Sequence, residues 1–164
     1  MAEPPSYFTP VHLKARLFFN EEYEQLREVE EFKGFADLPD VLKDQKNVMR
    51  GLEGISFEQG ECKVIFDANH KRFNREMETI VKDIKDAWNK TPPEPTLYFV
   101  YYAGHGVMRN NQTYAVLGVE KDKQKALYPL EANLRAISKI NGGYIICVLA
   151  CCREKFEIRG TGDA

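Results

Sequence analysis

A chain of 164 residues, 43% hydrophobic and 29% charged, has the size and composition of one globular domain. A net charge of −2 gives no electrostatic reason to bind nucleic acid or an anionic membrane surface. No apolar run approaches the roughly 20 residues that span a bilayer, and the N-terminus carries neither a signal-peptide pattern nor a lipidation motif, so a cytoplasmic protein is expected.

Residues 1–12, with three prolines in the first ten, read as a flexible arm, and residues 13–164 as the folded domain. Leu13–Phe19 predicts a buried strand. Asn20–Lys33 is rich in glutamate with sparse apolar positions and fits either a helix or a charged loop; its acidic run reads as a solvated face without a calcium-ligand pattern. A helix is expected from Leu38, with Pro39 and Asp40 in its first turn and Gly51 and Gly54 at its end. Its apolar face would be Val41, Leu42, Val48, Met49 and Leu52. Cys62–Phe66 predicts a second strand.

Phe73, Met77, Ile80, Val81, Ile84 and Trp88 recur at helical spacing with charges between them, so they predict a helix packed on a core. The run Thr91-Pro-Pro-Glu-Pro95 stops it. Thr96–Tyr102 is a near-continuous apolar strand of the kind covered on both faces. Thr113–Leu117 suits one arm of a short hairpin, Leu130–Ile140 a helix with Leu134 and Ile137 inward, and Gly143–Leu149 a last buried strand.

Strands alternating with helices predict an α/β fold: a mainly parallel central sheet with helices on both faces. Active sites of such sheets lie beyond the carboxyl ends of the strands. Two segments occupy such places, Ala103-Gly-His-Gly106 and Ala150-Cys-Cys-Arg153.

The chemistry at these ends suits a thiolate nucleophile, Cys152, and an imidazole, His105, that protonates a leaving amine. The two are 47 residues apart in sequence. The amides of Gly106 and Cys152 are expected to form an oxyanion hole. Cys151 is the alternative nucleophile, because successive strand residues face opposite ways and only one of the pair turns toward His105. Cys62 and Cys147 read as core residues, and His12 and His70 as surface residues. No CxxC pair is present and strand geometry opposes a tetrahedral zinc site, so no metal is expected. The four cysteines are not spaced as a disulfide framework.

Tyr101-Tyr-Ala-Gly-His-Gly106 resembles the Y-S-G-H-G element of metacaspases and paracaspases. Leu149-Ala-Cys-Cys-Arg153 resembles the D-x-C or Q-A-C-R-G element that carries the nucleophile in the wider caspase family. Leu38-Pro-Asp-Val-Leu-Lys-Asp44 resembles the family's first helix and Leu17-Phe-Phe-Asn20 its opening strand. The resemblance implies a caspase-like three-layer sandwich and a cysteine endopeptidase of programmed cell death. It makes His105 the general acid/base, Cys152 the nucleophile and Gly106 an oxyanion donor, with no cofactor. It also implies a protein or peptide substrate and a small-subunit chain or partner domain that completes the groove and covers an edge strand.

Three positions depart from the family pattern. Ala103 stands for a common Ser, and Glu154 for a small residue. Ala150 replaces the Asp or Gln that helps select basic or acidic P1 side chains, which leaves that preference open; Arg27, Lys33 and Arg109 are candidates for lining that pocket, but each reads more simply as a surface charge. An inactive interaction module built on the same fold is the alternative function.

Overall fold

The computed structural model describes residues 12–55, 57, 61–122, 124–151 and, as backbone, 153–155. The expected arm, apart from His12, and the polar tail from residue 156 lie outside the described residues.

Four strands form a parallel sheet: β1 (His12–Phe19), β2 (Cys62–Phe66), β3 (Thr96–Ala103) and β7 (Gly143–Ala150), in the order β2-β1-β3-β7. The crossovers carry α1 (Val41–Gly54), α2 (His70–Trp88) and α3 (Leu130–Ile137). A second sheet, ordered β6-β5-β4-β8, joins β4 (Gly106–Arg109), β5 (Gln112–Val116), β6 (Leu127–Tyr128) and β8 (Arg153–Lys155). The molecule is therefore a mixed α/β protein around an all-parallel four-stranded sheet. No helix among the described residues is long and apolar enough to cross a membrane.

Alternation along the strands sorts side chains into two cores. Phe18, Tyr98, Val100 and Tyr102 face α2 and α3, where Phe73, Ile80, Ile84, Leu130 and Ile137 meet them. Phe18 and Phe73 stack with ring centroids 4.3 Å apart. Ala15, Leu17, Phe19, Tyr101 and Ala103 face the other way, onto Val41 and Leu52 of α1. Asn110 and Asn111 take positive φ, 51° and 57°, and join β4 to β5 in a tight hairpin.

Several expectations are corrected. Pro39 and Asp40 form a turn ahead of α1 rather than its first turn, and Leu42 is exposed. Trp88 does not enter the α2 core; it lies over the backbone at Gly142, where an added Cβ would sit 2.3 Å from the indole. Ala87 takes the buried position instead. Asn20–Lys33 is neither one helix nor a charged loop. It forms two 3-10 turns, Glu24–Glu28 and Glu30–Phe32, and buries Tyr23, Leu26 and Phe32 in a third cluster with Phe35, Val107 and Val116. The glutamates point outward, but the few apolar residues between them anchor the segment.

Cys147 is exposed, not core. It belongs to β7, most of whose side chains are uncovered: Tyr144, Ile146 and Val148 are 45%, 50% and 40% exposed. Cys62 is half-buried at the start of β2, and burial pushes its thiol pKa up. His12 starts β1 with Nε2 2.5 Å from Glu94 Oε2, and His70 is half-buried edge-on to Tyr128, so neither is a simple surface residue.

One buried charge was hidden by helical periodicity. Glu76 is fully buried on α2, with Arg16 Nε at 3.2 Å, Lys63 Nζ at 2.8 Å and Arg72 Nε at 3.1 Å. Arg16 is itself buried on β1. Removing one partner of a buried pair strands the other charge in a poorly polarisable site. Glu76→Leu is expected to cost about 3–5 kcal/mol, read as a lower urea midpoint at unchanged slope. A midpoint equal to wild type would show that solvent already screens Arg16.

Glu131 supplies a pH-dependent tie between α3 and β5. Its carboxylate accepts from Arg135 and from the Thr113 amide at 2.9 Å, and these bonds hold its pKa at about 2. A lowered folded-state value means stability present above pH 4.5 and lost as pH falls toward 2. In Glu131→Gln, melting temperatures should depend less on pH across that window than in wild type; parallel curves would remove Glu131 from the linkage.

Candidate active site

The carboxyl ends of the central strands are stapled together by Asn20, just past β1. Its amide donates to the Ala103 carbonyl at 2.9 Å, its side-chain oxygen accepts from Ala68 N–H at 3.2 Å, and its side-chain nitrogen donates to the Val116 carbonyl at 3.3 Å. Asp67, beyond β2, accepts from the amides of Glu21 and Glu22. The segment leaving β1 is thereby brought across to the segment leaving β3, where His105 sits.

His105 is held at its backbone and at its ring. Its N–H donates to the Tyr23 hydroxyl at 2.8 Å. Its carbonyl accepts from the Tyr102 hydroxyl at 2.7 Å and from the Val116 amide at 2.9 Å. Nε2 lies 2.7 Å from the Ala36 carbonyl oxygen. A carbonyl only accepts, so Nε2 carries the proton and Nδ1 of the neutral ring keeps its lone pair. The rings of Tyr23 and Phe35 pack on the imidazole at centroid distances of 4.6 and 4.8 Å. Burial raises the Tyr23 and Tyr102 pKa values well above the ordinary phenol, so both hydroxyls stay protonated at neutral pH.

Gly104, between Ala103 and His105, has no room for a side chain. Its nearest constraint is internal: an added Cβ would meet the Tyr102 hydroxyl at 2.6 Å and the Tyr23 hydroxyl at 2.7 Å. The missing side chain makes room for the two phenols that grip the next residue.

Gly106 is buried and opens β4, paired with Ala115 on β5 and with Arg153 on β8. Cys151 follows β7 at a bend, half-buried against the core that also receives Ile145 and Leu149. It therefore continues the helix-facing side of β7. Cys152 lies outside the described residues, but the backbone on each side of it is described. β3 pairs with β7 up to Ala103 and Ala150, and β4 pairs with β8 from Gly106 and Arg153. Both pairs are offset by 47 residues, so the register is unbroken. Two residues intervene on each chain: Gly104 and His105 on one, Cys151 and Cys152 on the other.

Of the candidate pocket residues, Arg27 pairs with Asp37 at 2.9 Å, whereas Lys33 pairs with Glu30 and Arg109 lies at the outer end of β4. Asp37, the partner of Arg27, directly follows Ala36, whose carbonyl holds His105. Tyr23, Phe35 and Ala36 were missed in the sequence. Their only signal was the sparse apolar pattern between Asn20 and Phe35, and a backbone carbonyl leaves no trace in residue type.

No protein-family model matches the chain, and no curated protein matches it.

The hydrogen bond to Ala36 predicts the Nε2–H tautomer for neutral His105. Imidazole ¹⁵N shifts at high pH should show a protonated Nε2 and an unprotonated Nδ1 for this ring; the reverse pattern would mean that the Ala36 contact is not a hydrogen bond.

Proposed function

We propose that the chain is a caspase-like cysteine endopeptidase, with Cys152 as nucleophile and His105 as general acid/base. The observation that carries this assignment is the constant 47-residue offset between the two ladders that bracket His105 and Cys152. Parallel strands in continuous register bring their departing segments to one rim of the sheet, where an imidazole and a thiol come within reach of each other. The state of His105 adds support: with Nε2 engaged by Ala36, Nδ1 is the nitrogen left to exchange a proton with a thiol.

In this mechanism the thiol proton passes to His105, and the thiolate sulfur attacks the scissile carbonyl carbon. The backbone amides of Gly106 and Cys152 stabilise the oxyanion. The C–N bond then breaks, the amine leaves with the proton from His105, and a thioester remains. Water attacks that thioester while His105 takes its proton, and the carboxylate leaves as the thiol is restored. All groups come from the chain and the peptide.

A biotinylated peptidyl acyloxymethyl ketone panel with Arg, Lys or Asp at P1 tests this. Wild type should be labelled by one member of the panel, Cys151→Ala should be labelled equally, and Cys152→Ala and His105→Ala should lose labelling by at least about 100-fold. Labelling that survives Cys152→Ala would falsify the assignment, and loss confined to Cys151→Ala would move the nucleophile by one residue. The preferred P1 residue reads out the specificity that Ala150 leaves open.

The uncovered face of β7 favours a second reading, a caspase-fold interaction module. Tyr144, Ile146 and Val148 form an exposed apolar row beside half-buried Leu97 and Phe99, and such rows mark partner surfaces. A partner chain or domain seated there fits either reading. Binding that persists unchanged in Cys152→Ala, from a wild type that no member of the panel labels, would establish the module over the enzyme.

A further inference from the structure

We propose that Tyr23 is a positioning residue for His105, setting the imidazole through the histidine's backbone amide; this rests on the peptidase assignment.

Three hydrogen bonds close a circuit. The His105 N–H donates to the Tyr23 hydroxyl at 2.8 Å, His105 Nε2–H donates to the Ala36 carbonyl at 2.7 Å, and the Tyr23 N–H donates to Asp37 Oδ1 at 2.7 Å. Ala36 and Asp37 are consecutive, so the acceptor of the ring and the acceptor of Tyr23 move as one segment. The Tyr23 ring also lies edge-on to the imidazole at 4.6 Å. One residue thus fixes both the backbone and the ring plane of the histidine.

The two phenols at this site are not equivalent. The His105 carbonyl has two donors, the Tyr102 hydroxyl and the Val116 amide. Losing the Tyr102 hydroxyl leaves that carbonyl satisfied. The His105 N–H is bonded to the Tyr23 hydroxyl, which is fully buried and in turn donates to the Asn20 carbonyl at 3.2 Å. Losing it leaves a donor without its acceptor in the interior, and the loop must shift to find another. A shift of about 1 Å at a catalytic base is enough to lower turnover by about 100-fold without changing substrate binding.

The asymmetry defines the test on the full chain. Tyr23→Phe should lower kcat by about 10- to 100-fold at unchanged KM on the panel's best peptide, and should move the His105 ring ¹⁵N shifts away from the pure Nε2–H tautomer. Tyr102→Phe, which leaves the His105 carbonyl bonded to the Val116 amide, should lower kcat clearly less than Tyr23→Phe does. If Tyr23→Phe does not fold, 3,5-difluorotyrosine placed at position 23 alone, which keeps the ring and weakens the hydroxyl as an acceptor for the His105 N–H, should shift the ring ¹⁵N signals and lower kcat in the same direction; no change in either would overturn the proposal. Wild-type kcat and ring shifts in Tyr23→Phe would overturn the proposal, as would equal losses in Tyr23→Phe and Tyr102→Phe. If wild type cleaves no peptide but Tyr23→Phe still moves the ring shifts, the peptidase assignment fails and the positioning of the imidazole by Tyr23 stands.

Discussion

Everything at the candidate site depends on parallel pairing that is interrupted for two residues and then resumed without slippage. β3 and β7 run side by side to Ala103 and Ala150, and the same two chains meet again as β4 and β8 at Gly106 and Arg153. A slip of one residue would turn every side chain beyond it to the opposite face. Because the offset is the same on both sides, the gap begins at Gly104 on one strand and at Cys151 on the other, with His105 following Gly104. The central sheet is thus a positioning device: its hydrogen bonds set which residues stand abreast where the strands end.

A sheet rim alone would leave His105 on a loop, and loops are mobile unless something ties them down. Here the tie comes from a segment that looks unpromising by composition. The glutamate-rich stretch after β1 buries Tyr23, Leu26 and Phe32 and carries Ala36 and Asp37 past the imidazole. Asn20 begins this bridge by linking three strand ends through one side chain and its amide. The result is a histidine whose amide, carbonyl and Nε2 are all engaged. The orientation of the imidazole is therefore set by folding itself.

The helix-covered face and the outer edge of the sheet follow other rules. Arg16 and Glu76 form a buried charge pair where strand alternation forces an arginine onto a helix-facing side, and the helix answers with a glutamate inside its apolar stripe. At β7 the helix-facing residues Ile145 and Leu149 are packed, while Tyr144, Ile146 and Val148 remain open, because α1 reaches across β1 and not as far as β7. A strand that reads as buried in sequence is half covered in the fold.

Much of the architecture was legible in residue order. Apolar runs marked the four central strands and one arm of the hairpin, and helical spacing marked the three helices, since burial against a neighbouring layer imposes those patterns locally. Glycines around His105 and the alternation of strands with helices placed the histidine and cysteine elements at strand ends. Cys147 and Trp88 were misread because periodicity states which way a side chain points, not whether anything lies there to meet it. The grip on His105 was invisible for a different reason. It is made by Tyr23 across 82 residues and by the carbonyl of Ala36 across 69, and a main-chain oxygen is the same whatever the residue. Local spacing determined the elements and their order; only the folded chain decided which distant atoms close around the imidazole, because that depends on three-dimensional distance and not on residue type.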